Sequence, residues 1–331
     1  MKKLLIIATG GTIASKESET GLAPSMTGEE LLAAMPDFGE RCALDVLQLM
    51  NIDSTDMRPG DWLRIKDAIM DRYADYDGFV ILHGTDTLAY TAAALSYLIQ
   101  ESPKPIVLTG SQKPMASPYT DAKLNIYQSI VYALDPDSCE ISIVFQGKVI
   151  AGTRARKQRT RSYNAFDSMN LPQLANIYDD KIFRYYREKK VSAVLPRSYD
   201  KLNERVFVLK LTPAVKADIF RLLKGHYDAI VLETFGIGGI PSFDDSFRAA
   251  IADWTKSGGI IAVTTQVPEE GLDLAVYQVG KLYDEDPAIL KGGDMTTEAI
   301  LAKLMWILGQ TNKPQEIRRL FYHPINYDRQ L

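Results

Sequence analysis

The chain has 331 residues, of which 46% are hydrophobic and 24% charged, and a formal net charge of −4. That length and balance fit two globular α/β units with cores large enough to need no disulfide or metal, and the acidic total speaks against a nucleic-acid or anionic-membrane surface. Two cysteines without CxxC spacing and three histidines, no two at ligand spacing, exclude a disulfide framework and a His-rich zinc site.

Met1-Lys2-Lys3 precedes a short apolar run, Leu4–Ala8, that ends in Gly10-Gly11 without a cleavage pattern. It reads as a buried first strand rather than a signal peptide. No stretch approaches the eighteen apolar residues of a membrane span. Thr27-Gly28-Glu29-Glu30 ahead of Leu31-Leu32 is a capping box that starts a helix. Ala43–Met50 is the next strand, and Trp62, Ile65, Ile69 and Tyr73 mark one face of an amphipathic helix. Phe79–Leu82 is a strand and Leu88–Ile99 a helix. Ile106–Leu108 is a strand, Asp121–Leu134 a helix and Ile141–Phe145 a strand. This alternation predicts βαβ units and a mostly parallel sheet over residues 1–183. Residues 184–204 lack a clear period and read as a linker. Over 205–331 the alternation resumes. Strands are expected at Val206–Leu209, Ala229–Leu232 and Ile260–Val263, and helices at Ala217–Leu223, Phe247–Trp254, Thr297–Leu308 and Glu316–Phe321. The expected fold is therefore α/β, with a larger N-terminal domain and a smaller C-terminal parallel-sheet domain.

Ligands of open parallel sheets sit beyond the carboxyl ends of the strands. Four strand ends here are rich in hydroxyls, with glycine in three of them: Thr9–Ser15, Asn51–Asp56, His83–Thr87 and Thr109–Gln112. Each alone is adequately explained by a tight turn and a helix cap. All four on one edge point to a site. A dinucleotide fingerprint does not fit Gly10–Ala14, and Gly236–Pro241 is interrupted by Pro241 and Ser242. There is no P-loop and no GxSxG elbow. His83 alone at a strand end reads as structural. What remains is threonine chemistry, in which a lysine with a lowered pKa takes the hydroxyl proton. An Asp86 carboxylate at a helix start suits an α-ammonium group, and the Ser54 turn suits a carboxylate, so the pocket is shaped for a zwitterionic amino acid.

TGGTIAS at Thr9–Ser15 and HGTDTLAYTA at His83–Ala92 resemble the two signatures of the bacterial-type L-asparaginase/glutaminase family. The likeness continues through MNIDSTDM at Met50–Met57, VLTGSQKP at Val107–Pro114, GTRARK at Gly152–Lys157 and SYNAFDSMN at Ser162–Asn170. It ends with GIGGIP at Gly236–Pro241 and GGDMTTEAILAKLMW at Gly292–Trp306. It is nearest the cytoplasmic, type I members. The resemblance implies hydrolysis of L-asparagine without a cofactor or metal. Thr12 is then the nucleophile, and Thr85, Asp86 and Lys157 form the proton-relaying cluster. Asp86 also holds the substrate's ammonium, Ser54 and Thr55 its carboxylate, and Gly11, Asp53, Gly84 and Ser111 complete the pocket. Taken alone, Lys157 sits in a basic run, Arg154–Arg161, that reads as solvated surface. The resemblance also implies a homo-oligomer, a dimer or a dimer of dimers. Two positions depart from the family pattern. Leu22 stands where members commonly carry a tyrosine on the lid formed by Lys16–Pro24, and Gly239 stands where some carry an asparagine. A tRNA-dependent glutamyl amidotransferase subunit shares this amidase core, but it carries a further N-terminal domain for which a first signature at Thr9 leaves no room. A non-catalytic amino-acid sensor would keep the same pocket.

Overall fold

Leu4–Ala8 is the buried middle of a nine-residue strand, β1 (Lys2–Gly10). Such an unbroken apolar run is what a strand covered on both faces requires. The computed structural model describes residues 1–18, 21–24, 30, 33, 38–185, 194–276, 278–284 and 286–330. Thr27, Gly28 and Glu29 of the expected helix start, and residues Glu19 and Thr20 of the expected lid, lie outside the described residues. So do the side chains of the rest of that lid, Leu22 among them. The backbone there forms a hairpin of β2 (Ser15–Ser18) and β3 (Gly21–Pro24). Two compact units are present, Met1–Asp200 and Lys201–Leu331.

In the first unit β4 (Cys42–Ile52), α1 (Pro59–Met70), β5 (Gly78–Leu82) and α2 (Leu88–Leu98) follow. Then come β6 (Ile99–Gln100), β7 (Ile106–Thr109), α3 (Ala122–Leu134), β8 (Ile141–Phe145) and β9 (Lys148–Ala151). Short strands close the unit: β10 (Ala155–Lys157), β11 (Phe166–Ser168), β12 (Ala175–Tyr178), β13 (Lys181–Arg184) and β14 (Arg197–Ser198). Eight strands make one sheet in the order β13-β12-β9-β8-β7-β5-β1-β4. From β8 to β4 every pairing is parallel, whereas β9, β12 and β13 add an antiparallel edge. The β8–β9 turn explains why that edge escapes a sequence reading. Gln146 and Gly147 both take positive φ, 50° and 76°, as a two-residue hairpin turn demands. Gln-Gly is nevertheless a weaker turn signal than Asn-Gly. β14 lies in the segment expected as a linker and pairs with β6.

The second unit is a four-stranded parallel sheet, β15 (Val206–Lys210), β16 (Ala229–Thr234), β17 (Ile260–Thr265) and β18 (Ile289–Lys291), paired in sequence order. Its helices are α4 (Ile219–Leu223), α5 (Ser246–Lys256), α6 (Gln278–Asp284), α7 (Thr297–Gln310) and α8 (Pro314–Tyr322). Phe220, Phe247 and Trp254 meet edge to face over Ile230, Leu232 and Val263 in its core. The architecture is two α/β units, the larger one mostly parallel and the smaller wholly so.

Candidate active site

β1 is flanked by β4 on one side and β5 on the other. The chain thus reverses its direction of travel across the sheet at β1, the kind of switch point at which open α/β sheets bind ligands beyond the carboxyl ends of their strands. The loops there are in backbone contact. Gly11 has φ 76°, and a Cβ on it would lie 2.4 Å from the Cα and N of Gly84. A Cβ on Gly84 would lie 2.5 Å from Ser54 Oγ. Only glycine permits either approach. The Gly11 N–H donates to Ile52 O at 3.0 Å, which pins the β1 loop to the end of β4. Thr12 opens the short helix Thr12–Ala14 immediately after this contact and is half-buried.

Lys157 reaches the same place from β10. Its Nζ donates to Thr85 Oγ1 at 2.7 Å and to Asp86 Oδ1 at 2.7 Å. The lysine side chain is 17% exposed and the aspartate 57%, so the amine is mostly covered and its counter-charge faces solvent. An amine touching a hydroxyl can relay a proton through it, and an exposed carboxylate attracts a cation. Gln112 lies beside this cluster. Its Oε1 is 3.4 Å from Thr85 Oγ1, and its Nε2 donates to Ser162 O at 3.1 Å.

The other expected site residues divide. Ser54 is buried against Gly84. Asp53 and Thr55 are exposed and satisfy one another, the carboxylate accepting from Thr55 N and Oγ1, both at 2.8 Å. Ser111 is buried and donates its hydroxyl to Lys113 O within its own loop. The structure therefore gathers Gly11, Ser54, Gly84, Thr85, Asp86 and Lys157, with Thr12 adjoining Gly11. It leaves the polar atoms of Asp53, Thr55 and Ser111 engaged in turns. Among the described residues no group of three His, Cys, Asp or Glu side chains converges as a metal site would, and no helix is long and apolar enough to cross a membrane.

Residues 3–190 match the model of the asparaginase N-terminal domain, and residues 205–321 that of the glutaminase/asparaginase C-terminal domain. The chain belongs to the asparaginase family. The L-asparaginase of Thermococcus kodakarensis is 36% identical over 319 residues, 96% of each protein. A solved structure of the thermostable L-asparaginase from that organism has a TM-score of 0.92 at 35% identity, over 98% of both chains. L-asparaginase I from Vibrio cholerae has a TM-score of 0.88 at 31% identity, over 100% of this chain and 99% of that one. One subunit of the glutamyl-tRNA(Gln) amidotransferase of Metallosphaera sedula is also related. It is 34% identical over 96% of this chain and 74% of its own length.

Within this asparaginase core, His83 is wholly buried, and desolvation lowers its pKa to about 4 although Gly84 O hydrogen-bonds the ring. Its Nδ1 lies 2.7 Å from Gly84 O and its Nε2 2.9 Å from Thr91 Oγ1, which in turn accepts from Trp62 Nε1 at 3.0 Å. The Thr109–Gln112 loop has its own support. Asp121, 4% exposed, accepts from Gln112 N, Lys113 N and Asn125 Nδ2, while Asn125 Nδ2 also donates to Gly110 O. Asp121, Thr91 and Trp62 are absent from the sequence-based site, and Gln112 enters it only as the end of the Thr109–Gln112 loop, without a role. Gln112 and Thr91 stand inside the family motifs, yet nothing in spacing marks a glutamine or a mid-helix threonine as part of a site. Asp121 and Trp62 read as a helix start and a core position.

Proposed function

We propose that the protein is an L-asparaginase, converting L-asparagine and water to L-aspartate and ammonia through a Thr12 acyl-enzyme. The observation that carries this reading is the Lys157 amine held at 2.7 Å from both Thr85 Oγ1 and Asp86 Oδ1, across a glycine contact from Thr12. Asp86 pairs with the substrate's α-ammonium. The Ser54–Thr55 turn takes the α-carboxylate, with Gly11, Asp53, Gly84 and Ser111 lining the pocket. The side-chain amide then lies over Thr12. Its hydroxyl oxygen attacks the amide carbon, the hydroxyl proton passes to the leaving nitrogen, and the C–N bond breaks to release ammonia. Backbone N–H groups at Thr85 stabilise the oxyanion formed on the way. In the second half, Lys157 and Thr85 take a proton from water. The resulting hydroxide attacks the aspartyl ester, the ester bond breaks, and the alkoxide of Thr12 is reprotonated as aspartate leaves.

Ammonia release from purified protein tests this. Thr12→Ala is expected to lower kcat by at least about 10³-fold, the scale of removing a nucleophile. Asparagine is expected to exceed glutamine in kcat/KM by about 10- to 200-fold, the discrimination one methylene allows. Full activity in Thr12→Ala would overturn the mechanism, and equal turnover of both amides would overturn the substrate choice. Glutamine turnover alone would favour the amidotransferase-like reading, and binding of asparagine without any turnover would favour a sensor. On the same reading the protein is a cytoplasmic homo-oligomer, a dimer or a dimer of dimers, a mass that sedimentation equilibrium measures directly.

A further inference from the structure

We propose that His83 is a positioning residue, which fixes the Gly84–Thr85 peptide so that the Thr85 N–H faces the substrate amide. The role rests on the asparaginase reading; the hydrogen-bond chain that produces it does not.

The indole of Trp62 can only donate, and the carbonyl of Gly84 can only accept. These two ends fix the outer bonds, and with a neutral ring the Thr91 hydroxyl donates in the middle. Trp62 Nε1–H donates to Thr91 Oγ1, the Thr91 hydroxyl donates to His83 Nε2, and His83 Nδ1–H donates to Gly84 O, at 3.0, 2.9 and 2.7 Å. The three side chains are 5%, 0% and 0% exposed, so water does not compete for these partners. The Gly84 carbonyl accordingly holds a proton on Nδ1. Burial, which lowers the ring's pKa to about 4, keeps it neutral at pH 7, so Nε2 accepts from Thr91.

The consequence lies in the peptide that His83 grips. No peptide bond among the described residues is cis. In a trans peptide the C=O and the following N–H point in opposite directions. Drawing the Gly84 carbonyl inward to His83 therefore turns the Thr85 N–H outward, toward the site shared with Gly11 and Lys157. Among the described residues no backbone or side-chain acceptor takes that N–H. Gly84 must lack a Cβ to pass Gly11 and Ser54, and a glycine flips its peptide more readily than other residues. The buried histidine supplies the restraint the glycine lacks.

Two near-isosteres separate positioning from bulk stability. His83→Asn places an amide donor where Nδ1 stands and preserves the grip on Gly84 O. His83→Gln places its amide where Nε2 stands, preserving the Thr91 contact and losing the grip. Each loses one of the two buried ring hydrogen bonds, so thermal stability falls in both. With asparagine as substrate, His83→Gln is expected to lose at least about tenfold in kcat with KM within about twofold, because an oxyanion donor acts mainly in the transition state. His83→Asn is expected to recover most of that loss. Nitrogen-15 NMR of the unmodified protein at pH 7 should report the neutral Nδ1–H tautomer. An Nε2–H tautomer, an imidazolium, or equal kcat in the two variants overturns the proposal. An unmodified protein inactive on asparagine sinks the asparaginase reading and this role with it. An active one with the wrong tautomer sinks the role alone.

Discussion

Lys157 is the residue whose environment and sequence context disagree most. A basic run from Arg154 to Arg161 suggests solvated surface, yet the Lys157 amine is turned inward onto Thr85 and Asp86. If it relays protons there, Lys157→Met should lower kcat by about 10²- to 10⁴-fold, the usual worth of a positioned base. Lys157→Arg should fail to restore it, since a guanidinium does not give up its proton. Both are read by single-turnover ammonia release, and wild-type rates in either would remove Lys157 from the mechanism. His83 makes a different prediction, on stability. Its pKa falls from 6.5 in the unfolded chain to about 4 in the fold, so between these values the unfolded chain binds the extra proton. The stability His83 contributes is complete above pH 6.5 and is lost as pH drops through that window. The loss at pH 4.5 is about 2–3 kcal/mol, and the group is fully buried, so solvent screening does not reduce it. Urea midpoints at pH 7 and pH 4.5 should therefore fall further for wild type than for His83→Asn. Parallel falls would show that His83 is not buried neutral.

At the scale of elements, the site is a set of loops that only glycine lets approach. Gly11→Ala would drive a Cβ to 2.4 Å from the Gly84 backbone at φ 76°, whereas Gly60, in the first turn of α1, has nothing within 4 Å of an added Cβ. Gly11→Ala should therefore cost at least about 2 kcal/mol and tenfold or more in kcat/KM, while Gly60→Ala should stabilise by up to about 1 kcal/mol. Chemical denaturation and kinetics on the pair check this, and an unperturbed Gly11→Ala would show that the β1 and β5 loops can move apart. The elements that build this edge were legible because each spans a whole period of pattern. Leu4–Ala8, Phe79–Leu82 and Ile106–Leu108 are continuous apolar runs, and Trp62, Ile65 and Ile69 keep helical spacing. The antiparallel strands were not legible. β10 and β11 are three residues long, too short for alternation to show, and β13 is exposed at alternate positions with Lys181 and Arg184 at its ends. The glycine signatures named the loops, but the bonds that fix them, from Asp121, Asn125 and Thr91, join residues whose spacing carries no message.

At the scale of the whole molecule, each unit has a core that can be probed separately. In the second unit Lys303 and Asp328 form an ion pair with both side chains 0% exposed, and Lys303 Nζ also donates to His323 O at 2.7 Å. Burial lowers the Lys303 pKa to about 8 against the pull of Asp328. Removing one partner strands the other in the core, so Lys303→Met should cost about 3–5 kcal/mol, and adding Asp328→Leu should return much of it. A double variant no more stable than the single would mean that the pair is not isolated from water.

The first unit holds a different consequence, in how it is made. β1 lies between β4 and β5, and Leu4, Ile6 and Ile7 are completely covered there. The ribosome delivers this strand first and its two neighbours later, the second only when residue 82 has been added. Until then the β5 edge of this apolar strand has no neighbour, the kind of open edge chaperones bind and aggregates recruit.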